Sequence, residues 1–138
     1  MKICIVSSNF YPKVTKMLID GAKKKLIKNK FTEFDLVNVQ GTFEIPVVVA
    51  NLIASYDGFI VLGCVIKGET PHFDFLCTSV FNSISNLSVT SKKPIGNGIL
   101  TCINKNQAYE RANLKKKDKG GDAANAVISI LKNIKNEK

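Results

Sequence analysis

An α/β fold, a four-stranded parallel sheet held between two helical layers, is predicted by three features of the 138-residue sequence. Short runs rich in Ile and Val alternate with segments of helical period, a pattern that demands right-handed crossover connections. The run Phe59–Ile66 is continuously apolar, as a strand covered on both faces must be. Polar loops bearing Gly or Pro follow the first three runs, at the strand ends where open α/β sheets bind ligands. A chain of this length makes a single domain over 1–138, with a real core but no room for a second.

The first strand is predicted over Lys2–Ser7, ending in the loop Ser8-Asn9-Phe10-Tyr11-Pro12 with Phe10 at its rim. Lys13–Lys28 places Val14, Met17, Leu18, Ala22 and Leu26 on one face with lysines opposite, an amphipathic helix whose first turn suits Pro12. Asp35–Gln40 reads as the second strand, followed by Gly41-Thr42-Phe43-Glu44-Ile45-Pro46 and an apolar helix through about Ala54. Glu44 has two readings, a carboxylate favoured by the dipole of a helix start and a ligand-binding group at the rim.

After the central strand, Phe73–Leu87 carries Leu76, Val80, Ile84 and Leu87 at helical spacing. Pro94–Cys102 supplies the fourth strand, Gln107–Ala112 a short helix, and Asn113–Lys117 a basic loop. Asp118–Ile134 is a final helix capped by Asp118 or a neighbour, with Ala124, Val127, Leu131 and Ile134 as its buried stripe.

Chemistry concentrates in Gly63–Asp74, which holds the single histidine. Gly68 lets a backbone approach a ligand, and the amides of Glu69 and Thr70 precede a helix start that suits an anion. His72 suits proton transfer, with a purely structural histidine as the alternative.

The formal net charge of +9 fits either nucleic-acid binding or the attraction of a small anionic substrate. The lysine clusters Lys23–Lys25 and Lys115–Lys117 have no interleaved aromatics, which disfavours a base-reading surface. Of 20 basic residues all but Arg111 are lysine. A planar fork that grips phosphate by two parallel bonds is the property a lysine cannot replace. The distant cysteines Cys4, Cys64, Cys77 and Cys102 read as reduced, mostly buried thiols rather than metal ligands or disulfides. No apolar run reaches the roughly 20 residues of a membrane span, and the N-terminal apolar stretch is short for a signal peptide. A cytoplasmic protein is the expectation.

Six segments in order, SNF, GTFEIP, GCVIKGETPHFD, NGILT, QAYERA and DKG, resemble the lumazine synthase family, and the resemblance spans nearly the whole chain. It implies a flavodoxin-like three-layer fold. It also implies the condensation of 5-amino-6-(D-ribitylamino)uracil with 3,4-dihydroxy-2-butanone 4-phosphate to 6,7-dimethyl-8-ribityllumazine, the penultimate step of riboflavin biosynthesis. By position, Phe10 would stack on the pyrimidine, while Thr42, Phe43, Glu44, Cys64, Val65, Ile66 and Asn97 would line the same amine substrate. Glu69, Thr70 and Arg111 would bind the butanone phosphate, supported by Gly68 and Lys119, and His72 would relay protons. No metal or organic cofactor is implied.

The partners implied are two small-molecule substrates, a homopentamer with sites between subunits, higher assembly of pentamers, and association with riboflavin synthase, with no nucleic acid and no membrane. Several positions depart from the family pattern: Asn9-Phe10-Tyr11 replaces the usual triplet, Lys67 a frequent arginine, and Asn97 a frequent aromatic. Asn97 also lies five residues before the carboxyl end of its strand, roughly 16 Å from the other site residues at about 3.3 Å per residue. A neighbouring chain would therefore have to supply it.

Overall fold

A computed structural model describes residues 1–136. Its four strands, β1 Ile3–Ser8, β2 Phe34–Val39, β3 Gly58–Ile66 and β4 Ile95–Cys102, form one sheet in the order β2-β1-β3-β4. Every pairing is parallel, with Ile3 opposite Phe34 and Gly58, and Phe59 opposite Ile95. The helices are α1 Pro12–Lys28, α2 Ile45–Leu52, α3 His72–Ser91, α4 Lys105–Ala112 and α5 Lys119–Asn136, with a 3-10 turn at Thr42–Glu44. Two helical layers enclose the sheet, so the expected three-layer, flavodoxin-like α/β fold is present.

Alternation along the strands sorts the core into two halves. Ile3, Ile5, Ile60, Leu62, Cys64, Leu100 and Cys102 face α1, α4 and α5. Cys4, Val6, Phe59, Val61 and Ile99 face α2 and α3, meeting Ile45, Val49, Val80 and Ile84. The predicted stripe of α1 is inside, with Met17 packed against its margin. On α5, Ala124, Val127 and Leu131 are buried as expected, but Ile134 is 41% exposed because the helix has by then run past the sheet. Ala123 and Ile128 complete the stripe in its place.

Small residues set the layer spacing at two points. A side chain on Gly96 of β4 would strike the main-chain oxygen of Ala123, and one on Gly120 that of Leu18, so α5 lies directly on β4 and α1.

Helix ends depart most from expectation. The α3 helix continues to Ser91, and Ser88 Oγ then donates to the main-chain oxygen of Lys93 at 2.7 Å. The α4 helix starts two residues earlier than its apolar pattern indicates. Asn104 Oδ1 accepts from the Gln107 amide and Gln107 Oε1 from the Ile103 amide, each at 2.9 Å, a reciprocal cap. Asp118 does cap α5, its carboxylate accepting from the Gly121 amide at 3.2 Å. The cysteines are free thiols, with Cys4, Cys64 and Cys102 buried and Cys77 half-buried.

Candidate active site

Parallel strands leave their carboxyl ends on one rim. Where successive connections leave toward opposite faces, the rim opens into a crevice. In this sheet β1 lies between β2 and β3, and a cleft of about 660 Å³ opens there. That volume is in the range of small-molecule sites. Phe10 and Tyr11 after β1, Gly41, Thr42 and Phe43 after β2, and Cys64, Val65 and Ile66 at the end of β3 line it. The first turns of α3 close the far wall with His72, Phe75, Leu76 and Ser79.

The floor is held by polar bonds that tie the end of β1 to the turn after β2 and to α1. Ser8 Oγ and Thr42 Oγ1 lie 3.4 Å apart, and Thr15 Oγ1 donates to the main-chain oxygen of Ser8 at 2.8 Å. Ser8, Thr15 and Thr42 are buried, and Gly63 is the residue that leaves room for them, since a Cβ there would meet Ser8 Oγ and Thr42 Oγ1. The mouth, in contrast, is aromatic and open, with Phe10, Phe43 and Phe75 exposed by 67%, 64% and 72%. Phe10 rests edge-on against Tyr11, ring centroids 5.0 Å apart, which leaves a Phe10 face free for a flat ligand.

His72 is the first residue of α3, and its amide donates to Thr70 Oγ1 at 3.4 Å. Burial first, and the neighbouring Cys102 thiol second, push Cys64 up to about 12, so this wall of the cleft is a neutral thiol at ordinary pH.

Of the residues singled out from sequence, Phe10, Thr42, Phe43, Cys64, Val65, Ile66 and His72 come together in this cleft. Glu44 lies beside it, in a shallower groove with Phe43, Pro46 and Val47. It occupies the N-cap position of α2 without a side-chain capping bond. Gly68, Glu69 and Thr70 form the exposed loop leading into His72. A Cβ on Gly68 would meet nothing within 4 Å, and its φ is not positive, so the fold itself does not require glycine there.

The last three candidates lie away from the cleft and the segments that border it. Asn97 is opposite Val61, while the lining residues Cys64 and Ile66 are opposite Leu100 and Cys102. Its Oδ1 accepts from the Ile99 amide at 3.0 Å. Arg111, on α4, is half-buried against the end of β4, where Nη1 donates to the Thr101 main-chain oxygen at 3.1 Å. Lys119 pairs with Asp122 at 3.6 Å at the start of α5. Among lining residues, the sequence reading did not single out Tyr11, Gly41, Phe75 or Ser79 as site residues and assigned Leu76 to the core. In the sequence Phe75 stands off the stripe of Leu76, Val80, Ile84 and Leu87, and in the structure it is 72% exposed.

Among the described residues no group of three or more His, Cys, Asp or Glu side chains is arranged to hold a metal ion, and no helix is long and apolar enough to cross a membrane. The cleft thus offers an aromatic platform, a hydroxyl-bearing floor and an imidazole at its edge, groups able to orient a planar polar ligand and move protons.

Comparison with known proteins bears on the family. The family model described as 6,7-dimethyl-8-ribityllumazine synthase matches residues 1–135. Proteins of that name are similar across most of the chain. The one from Cutibacterium acnes is 38% identical over 133 residues, covering 95% of this chain and 80% of its own. Those from Bartonella tribocorum and Limosilactobacillus reuteri are each 41% identical, covering 94% of this chain and 87% of their own. With a crevice at the strand-order switch, the ordered rim motifs and similarity over nearly its full length, the chain belongs to the 6,7-dimethyl-8-ribityllumazine synthase family.

Proposed function

We propose that this chain, as a single domain, condenses 5-amino-6-(D-ribitylamino)uracil with 3,4-dihydroxy-2-butanone 4-phosphate to give 6,7-dimethyl-8-ribityllumazine. The observation that carries the reading is the convergence of Phe10, Thr42, Phe43, Cys64, Val65, Ile66 and His72 on one cleft. In this reading the Phe10 ring stacks on the pyrimidine. Thr42, Phe43, Glu44 and the main chain of Cys64–Ile66 hold the ribityl chain and the polar ring atoms. The loop Gly68-Glu69-Thr70 and Arg111 receive the phosphate, with Lys119 supporting that end.

The reaction begins as the primary amine of the uracil attacks the ketone carbon. A proton passes from nitrogen to oxygen and water leaves, giving an imine. Loss of a carbon-bound proton expels phosphate as its C–O bond breaks, and the resulting enol gives up its hydroxyl proton and takes one at its terminal carbon to become a ketone. The ribitylamino nitrogen then attacks the remaining carbonyl, and a second water leaves as the ring closes. Each turnover releases one phosphate and two waters. His72, at the cleft edge, relays the protons, an effect typically worth about 10²–10⁴-fold. Fixing two small reactants in register supplies much of the rest.

One chain leaves Asn97, Arg111 and Lys119 outside the cleft while its aromatic mouth stays open, and both features favour a site completed by a second copy. A head-to-tail ring of identical chains places the β4 and α4 side of one subunit against the cleft of the next. The same reading carries a cytoplasmic homopentamer, its further assembly into larger shells and an association with riboflavin synthase. The direct test mixes the protein with both substrates and follows lumazine absorbance and free phosphate. Equimolar appearance of both is expected, and saturable lumazine binding without turnover would replace the enzyme by a binding protein.

A further inference from the structure

In the parallel sheet, the Lys67 amide takes the main-chain oxygen of Cys102 at 2.8 Å and the Phe59 amide that of Pro94 at 3.0 Å. Even-numbered carbonyls of β4 therefore point inward to β3, and odd-numbered ones point out from the open edge. The Thr101 oxygen is such an edge acceptor, and Arg111 Nη1 satisfies it at 3.1 Å. The second partner of Nη1 is Cys102 Sγ at 3.6 Å, a buried sulfur on the helix-facing side of the strand.

One acceptor would leave the guanidinium free to swing about the Nη1···O axis. Two acceptors on one nitrogen fix its plane. Both hydrogens of Nη1 are then used within the chain, and the Nε and Nη2 hydrogens remain as the parallel fork that suits a phosphate. Sulfur is a weak acceptor, but at this depth water does not compete for the bond. Because Thr101 acts through its main chain, Cys102 is the side chain on which the orientation depends.

We propose that Cys102 is a positioning residue that aims the Nε and Nη2 edge of Arg111 at the phosphate of the butanone substrate. The inference rests on the reading of Arg111 as the phosphate ligand. Cys102→Val keeps size and strand preference but removes the acceptor, whereas Cys102→Ser keeps an acceptor.

The experiment measures Kd for each substrate, together with kcat and thermal unfolding, in Cys102→Val, Cys102→Ser, Arg111→Ala and the Cys102→Val/Arg111→Ala double variant. Cys102→Val is expected to weaken the butanone phosphate about fivefold, the scale of one net hydrogen bond, with the uracil Kd and saturated kcat unchanged. Cys102→Ser should stay within about twofold of the parent, and Cys102→Val should have no further effect once Arg111 is alanine. Loss of phosphate affinity in Arg111→Ala but not in Cys102→Val would overturn the positioning role alone. A Cys102→Val effect that persists without Arg111, or that falls equally on both substrates, would reduce it to core packing. Unchanged phosphate affinity in Arg111→Ala would overturn the reading of Arg111 and the proposal with it.

Discussion

The main-chain amide of His72 donates to the Thr70 hydroxyl at 3.4 Å, so the backbone that begins α3 is tied down while the imidazole is left at the edge of the cleft. His72 is exposed, and its removal takes little from the core. His72→Ala is therefore expected to lower kcat on the order of 10²-fold without unfolding the protein, the residual rate coming from orientation of the reactants. Stopped-flow formation of lumazine beside circular dichroism checks this, and full activity would return His72 to a structural role.

Arg111→Lys keeps the charge but loses the fork, and a lysine ammonium cannot reproduce the two-acceptor anchor at Thr101 and Cys102. The expected result is about tenfold weaker binding of the butanone phosphate with little change for the uracil. Titration with each substrate separately measures it, and equal weakening of both would count against a phosphate ligand.

If a neighbouring chain completes each site, defects on opposite sides of the interface complement one another. His72→Ala and Arg111→Ala, each poorly active alone, should recover activity when unfolded together and co-assembled, because some mixed interfaces carry both intact residues. Activity of the mixture is compared with that of the separate parents at equal protein concentration. No gain in oligomers shown to be mixed, or an active monomer by light scattering, rejects the shared site.

A pH dependence of folding originates away from the cleft. Tyr56 donates to Asp35 Oδ2 at 2.7 Å, and this bond, before burial, raises Tyr56 from its ordinary 10.0 to about 12. Burial, then the Asp35 charge, raises the Cys4 thiol from 9.0 to about 11. For both groups the folded protein holds its proton more tightly than the unfolded chain. Their contribution is complete below the unfolded values and is lost as pH rises toward the folded ones. Thermal midpoints should fall between about pH 9 and 12, and Tyr56→Phe should flatten the upper part of that decline. On the acid side the Tyr56 bond holds Asp35 below its usual range, so the same variant also loses stability that is present above the unfolded Asp35 value and disappears as pH falls through the folded one.

The fold was legible because its strands are short apolar runs and its helices carry single apolar stripes. Helix ends were less so. Three bends use left-handed backbone at Lys30, Lys92 and Asp118, where a glycine would have signalled the turn. Within the candidate site, residues contiguous with strand ends were readable, since Phe10, Thr42 and Cys64–Ile66 reach the rim by following β1, β2 and β3. Helical period separates core from solvent but does not mark a cleft wall, so Phe75 and Ser79 on α3 went unnoticed. The special character of Arg111 was visible as composition. Its tether to Thr101 and Cys102 depends on which carbonyls an edge strand turns outward, and that is decided by pairing with β3.

The hydroxyl bonds beneath the cleft, given room by the bare Cα of Gly63 on β3, join the end of β1 to α1 and to the turn after β2. That floor is set when the sheet forms, not when a ligand arrives. The groups left to move at the mouth are the rings of Phe10, Phe43 and Phe75, and exposed side chains of this kind reorient on the picosecond-to-nanosecond scale. Within one subunit, fitting the mouth around a flat ligand thus calls for ring rotation alone, a faster adjustment than the microsecond-to-millisecond motions of lidded sites.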